Sequence, residues 1–166
     1  MTGNKYVITF GLWLTVMFGA QAQKPVEYVD PFIGTTNFSV CNPGAVCPNG
    51  LMSVVPFNVM GSDLNVYDTD ARWWAAPYEF NNKYFTGFAH VTLSGVGCPE
   101  LGTLLLMPTA GALDVDYRHY GSTYSGEQAV PGYYANKLDK YGIKCEVTST
   151  LRSSIERFTF RKGQGN

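Results

Sequence analysis

The chain reads as an all-β protein, an antiparallel β-sandwich, on three observations. Residues 143–150 alternate strictly: Ile143, Cys145, Val147 and Ser149 fall on one side, Lys144, Glu146, Thr148 and Thr150 on the other. That period of two is the mark of a strand with one buried face. Further short runs rich in Val, Ile, Phe, Tyr and Thr are separated by turns that carry Gly, Pro, Asn or Asp. Nothing between Gln23 and Asn166 sustains a helical period, and a series of short strands of this kind buries its apolar faces as two packed sheets.

The first 22 residues stand apart. Lys5 begins a basic n-region, residues 6–20 are apolar, and Ala20-Gln21-Ala22 is a small-x-small cleavage site, so the segment reads as an export signal. The mature domain is then expected over residues 23–166, in the periplasm or outside the cell. The apolar stretch is short for a membrane span, is diluted by Thr9 and Thr15, and has no second span after it, so no membrane is expected after cleavage. The formal net charge is −1 and no basic run appears, which leaves a nucleic-acid partner without electrostatic support. Aromatic residues make up 14% of the chain and charged ones only 15%. Rings in that proportion suit either sugar-stacking faces or a large covered interface.

Along the mature chain, residues 28–35 read as a short extended piece and a turn, and Asn42-Pro43-Gly44-Ala45 and Cys47-Pro48-Asn49-Gly50 as two turn clusters. Export permits disulfides, and the turn between Cys41 and Cys47 offers a bridge. Residues 51–60 read as a strand, with Pro56 marking an edge or a bulge. Residues 85–93 are a strand, and residues 104–107 a buried one ended by Pro108. From Tyr117 onward strands are expected at 132–138, 143–150 and 155–160, with a turn at 139–142. The chain stops in a loop at 161–166 while a sheet is being built, which is expected of the front portion of a longer protein.

Chemistry concentrates at two places. Gly87-Phe88-Ala89-His90-Val91-Thr92-Leu93-Ser94-Gly95-Val96-Gly97-Cys98 turns a strand into a glycine-rich loop, which serves as the floor of a site or as a hairpin turn alone. Pro99 and the misplaced third glycine exclude a dinucleotide fingerprint, and no Lys-Ser or Lys-Thr follows to make a P-loop. His90, in an aromatic strand, reads first as a satisfied core histidine and second as a hydrogen-bonding site residue. The other place is Trp73-Trp74, where adjacent indoles can cover a core or the apolar face of a sugar ring. Asp63, Asn65, Asp68 and Asp70 before them do not follow the EF-hand pattern. Cys41, Cys47, Cys98 and Cys145 lack the C-x-x-C spacing of a zinc site.

Taken together, Val29-Asp30-Pro31-Phe32-Ile33-Gly34-Thr35, Pro43-Gly44-Ala45, the 87–98 stretch, Leu106-Met107-Pro108-Thr109 and Glu127-Gln128-Ala129-Val130-Pro131-Gly132-Tyr133-Tyr134 resemble, in order, the N-terminal motifs of glycoside hydrolase family 92. Thr148 to Arg152 and Arg157-Phe158-Thr159-Phe160 extend the resemblance. One of the two histidines usual in that family's version of the 87–98 stretch is absent here. The resemblance implies an exported, calcium-dependent exo-α-mannosidase whose N-terminal β-sandwich packs on an (α/α)6 catalytic domain, with a mannose-containing glycan bound between them. It implies hydrolysis with inversion by a carboxylic acid and a carboxylate. It places those carboxylates and the calcium ligands on the barrel, so no catalytic residue and no metal ligand is expected within this chain. Trp73, Trp74, His90, Gly95, Val96, Gly97 and Cys98 are the residues expected to face the sugar. Two other readings stand beside this one: a non-catalytic carbohydrate-binding or docking sandwich, and an inactive truncated product.

Overall fold

The computed structural model of the protein describes residues 24–36, 41–60, 62, 77–92 and 102–163. Among them are nine strands: β1 (Ala45–Val46), β2 (Ser53–Phe57), β3 (Tyr84–Phe85), β4 (Gly87–His90), β5 (Leu104–Leu106), β6 (Ser122–Val130), β7 (Tyr133–Leu138), β8 (Ile143–Ser149) and β9 (Ser154–Thr159). They form two antiparallel sheets, a four-stranded one in the order β1-β2-β4-β5 and a five-stranded one in the order β3-β6-β7-β8-β9. The expected all-β sandwich is what forms. Two short helical pieces were not legible in the sequence: a 3-10 turn at Pro25–Tyr28 and a single helical turn α1 (Tyr117–Tyr120), started by the Asp116 carboxylate accepting from the Arg118 N–H.

Alternation explains why the sheets face each other. Along β8, Ile143, Cys145 and Val147 are buried while Lys144 and Thr148 are exposed. From β7, Tyr134 and Leu138 join them, paired in register with Val147 and Ile143. Ala45, Val54 and Phe88 of the four-stranded sheet close this core from the other side. Phe88 sits at its centre, edge-on to Phe85 at 4.9 Å and to Tyr134 at 6.1 Å. β2 and β4 are buried at every residue, because their second face carries Val55, Phe57 and Ala89 and is covered too.

Four expectations change. The strand expected over 85–93 ends at His90, where Val91 takes a left-handed φ of +53°, and it is preceded by β3 in the other sheet. Pro56 lies in an interior strand, yet β1 pairs only with Ser53 and Val54, so on that side Pro56 has no ladder partner to deny and the ring is tolerated. Residues 104–106 do form a strand, but Leu104, Leu105 and Leu106 are exposed, at 56%, 40% and 37%. Among the described residues β5 ends its sheet and has no outer neighbour, which a local apolar run cannot foretell. No disulfide joins Cys41 to Cys47; the residues between them run out into β1 and pair with β2 instead of turning back on themselves.

Candidate functional site

Of the residues expected to face a sugar, His90 is described, and Trp73, Trp74, Gly95, Val96, Gly97 and Cys98 lie outside the described residues. Their roots are described. β2 and β4 are antiparallel, with Phe57 opposite Gly87 and Val54 opposite His90. The stretch 61–76 therefore leaves from the Phe57 end, and 93–101 from the His90 end. The two are rooted at opposite ends of one strand pair, separated by the length of β2, about 13 Å for four steps of ~3.3 Å.

The first pair of roots is held by a buried carboxamide network. Asn58 sits between Phe57 and Val59 in a run of β-formers, yet is fully buried. Its backbone N–H donates to Pro77 O at 3.0 Å. Its side-chain NH2 donates to Glu79 O at 2.9 Å and to the Tyr124 hydroxyl at 2.8 Å, and its Oδ1 accepts from the Glu79 N–H at 2.8 Å. Asn82, also fully buried, returns a bond to Asn58 O at 2.9 Å, and Tyr124 donates to Asn82 O at 2.8 Å. A network this fully satisfied fixes one geometry. The motif at 30–35 braces it from outside: the Asp30 carboxylate caps the Phe32 N–H, Gly34 takes φ +76°, Phe80 N–H donates to Thr35 O, and Phe32 packs edge-on against Phe80 at 5.7 Å. Asn58, Glu79 and Asn82 were missed in the sequence. The one available signal was a lone Asn inside an apolar run.

The second pair of roots converges on His90. Val91 N–H donates to Ser53 O at 3.1 Å, Thr92 N–H to Ser53 Oγ at 2.9 Å, and Thr103 N–H to His90 O at 2.9 Å. A β-branched residue in the left-handed region costs roughly 1–3 kcal/mol, and this lattice of bonds holds Val91 there. The His90 ring reaches further: Nδ1 lies 3.3 Å from Leu104 O, and Nε2 meets Glu156 Oε1 on β9 of the opposite sheet. The pair is enclosed, with side chains 9% and 13% exposed, and Glu156 Oε2 is buried with no hydrogen-bond partner. Burial, and then the Glu156 carboxylate, push the neighbouring Cys145 thiol up to about 12, which keeps it protonated and inert. Both ring nitrogens of His90 are thus engaged inside the domain.

Two open concavities lie on the surface of the described residues. One, of about 130 Å³, is lined by Phe57, Ala89, Gly102, Thr103, Leu104 and Leu105, beside the C-terminal root of the 93–101 stretch. The other, of about 210 Å³, lies on the outer face of the five-stranded sheet along Tyr133, Thr148, Ile155 and Arg157. There Glu146 accepts from Lys144, Arg157 and Tyr133 at 2.8–3.0 Å, and these donors hold its carboxyl down at about 2. Complete ligand pockets run to about 300–1,000 Å³, so each concavity is at most one wall. Among the described residues no three His, Cys, Asp or Glu side chains converge where a metal ion could sit.

Residues 28–166 match the family model described as the glycosyl hydrolase family 92 N-terminal domain. No curated protein matches the chain. Among solved structures, the family GH92 α-mannosidase BT3965 from Bacteroides thetaiotaomicron is 36% identical with a TM-score of 0.70, covering 83% of this chain and 19% of its own. In its complex with mannoimidazole the same protein gives 34% identity, a TM-score of 0.70, and 83% and 18% coverage. The GH92 family glycosyl hydrolase ccman5 follows at 27% identity and a TM-score of 0.64, over 84% of this chain and 19% of its own. The chain thus spans about a fifth of the length of the structures it matches. Its motifs, its two sheets and these likenesses agree: the chain belongs to glycosyl hydrolase family 92, as the N-terminal domain.

Proposed function

We propose that this chain is the N-terminal domain of an exported, calcium-dependent, inverting exo-α-mannosidase acting on mannose-containing glycans, with α-1,2 linkages as its substrates. The observation that carries this reading is the 36% identity to an α-mannosidase over most of this chain and only 19% of that enzyme. The sandwich lends one wall of the sugar site, and an (α/α)6 catalytic domain lends the other, with the reacting carboxylates and the calcium. Incomplete concavities and two firmly rooted stretches support a role of that kind, since binding residues commonly sit on loops held by a rigid scaffold. Trp73 or Trp74 supplies a stacking face, and Gly95-Val96-Gly97-Cys98 the backbone that approaches the sugar. His90 acts from behind that loop, because its ring nitrogens are already engaged. Three of the carboxylates serve structure: Glu79 holds the Asn81 backbone and side chain, Glu127 the Tyr134 hydroxyl, and Glu146 its three donors.

The test is a hydrolysis assay on α-mannobiose with calcium, comparing the 166-residue chain with a form extended by a family catalytic domain. Turnover is expected only in the extended form. Turnover by the short chain would overturn the division of labour.

A further inference from the structure

We propose that Glu156 is a positioning residue that acts through His90 on both roots of the 93–101 stretch; as a statement about a sugar site this rests on the reading of the domain as one wall of it. Glu156 belongs to the five-stranded sheet and the roots to the four-stranded one. Among the described residues His90 stands between them: its backbone carbonyl accepts the Thr103 N–H and Oγ1–H, and its ring meets Leu104 O through Nδ1 and Glu156 through Nε2. Its successors Val91 and Thr92 are tied to Ser53. A displacement of the His90 ring is therefore felt at the entry and at the exit of the stretch.

The surroundings make the choice of residues informative. Glu156 pairs in register with buried Val147, and Phe158 packs on the same core. His90 pairs in register with fully buried Val54. Leucine or valine at both places would pack such an interior at least as well, because polar groups withdrawn from water recover little net stability even when hydrogen-bonded to each other. A hydrogen-bonded polar pair in this position instead fixes direction: a ring bonded at both nitrogens has one orientation. It lies directly before Val91, the strained residue that opens the stretch, and strain of that kind persists only where neighbours over-determine the geometry.

The test uses amide hydrogen exchange in the 166-residue chain, reading Val91, Thr92 and Thr103 against Tyr134 and Val147 of the five-stranded sheet. Three variants are compared: Glu156→Ala, Glu156→Gln, and the double replacement H90L/E156L. Glu156→Ala is expected to speed exchange at the three root amides ten-fold or more and leave Tyr134 and Val147 unchanged. Glu156→Gln keeps an acceptor for His90 and is expected to stay within about three-fold of the parent. The double variant, with an apolar pair in the same space, is expected to melt no lower than the parent and still to exchange fast at the roots. Root amides as protected in the double variant as in the parent would overturn the proposal, as would a rise shared equally by Tyr134 and Val147. Hydrolysis enters none of these measurements, so their outcome and that of the mannobiose assay are independent.

Discussion

Glu127 shows at the scale of one residue how context overrules composition. It lies in a nine-residue strand and would be read as solvent-facing, but the register with β7 slips between Ser125 and Gln128, where Gly126 takes φ +62°. The bulge brings the carboxyl against the Tyr134 hydroxyl, which donates to it at 2.6 Å. The buried Tyr78 hydroxyl stands near it. Burial raises the Glu127 carboxyl above its ordinary 4.5, against the lowering effect of the Tyr134 bond. A raised carboxyl binds protons more tightly in the folded state, so stability falls as the pH rises from about 4.5 through the folded value, and the cost is full above it. Glu127→Gln, which retains an acceptor for Tyr134, is expected to melt higher than the parent at pH 7, with the gap closing below pH 4.5; thermal melts at several pH values check this. The sequence offered no way to see the inward turn, just as it offered no partner for His90. Glu156 is 66 positions away, and only the packing of two sheets brings them together.

Among the elements, what was legible and what was not divides by range. β8 could be read residue by residue, since its alternation is local, and β7 and β9 fell within a residue or two of expectation. The splitting of β3 from β4 could not: Phe85 pairs with Ser122 and Gly87 with Phe57, so the chain changes sheets at Thr86, whose N–H donates to Phe57 O. Pro43-Gly44-Ala45 was legible as a turn, but not for its decisive feature. Gly44 follows the Asn42 side chain, which accepts its N–H at 3.1 Å, and a Cβ there would lie 2.6 Å from Val54 O and 2.8 Å from Val55 Cα. Those are backbone atoms in the middle of a sheet and cannot yield cheaply. Gly44→Ala is expected to cost about 1–3 kcal/mol, the usual range for overpacking, measured as a lowered urea midpoint at constant slope.

For the whole molecule, the sandwich is a body finished on one side and open on another. Its core is continuous across the two sheets, while among the described residues β5 presents three exposed leucines and no strand on its outer edge. An exposed apolar edge of this kind pairs with whatever strand it meets. The 166-residue chain is expected to self-associate as its concentration rises, and Leu105→Lys to weaken that association about ten-fold, or roughly 1.4 kcal/mol, by sedimentation velocity. The leucine edge also has a consequence in time. Synthesis runs from the N-terminus at about 5–20 residues per second, and in a relative of which this domain is a fifth, the other four-fifths takes on the order of a minute to make. Until whatever follows in such a chain has been made, an open strand edge like that of β5 stays available to other nascent chains.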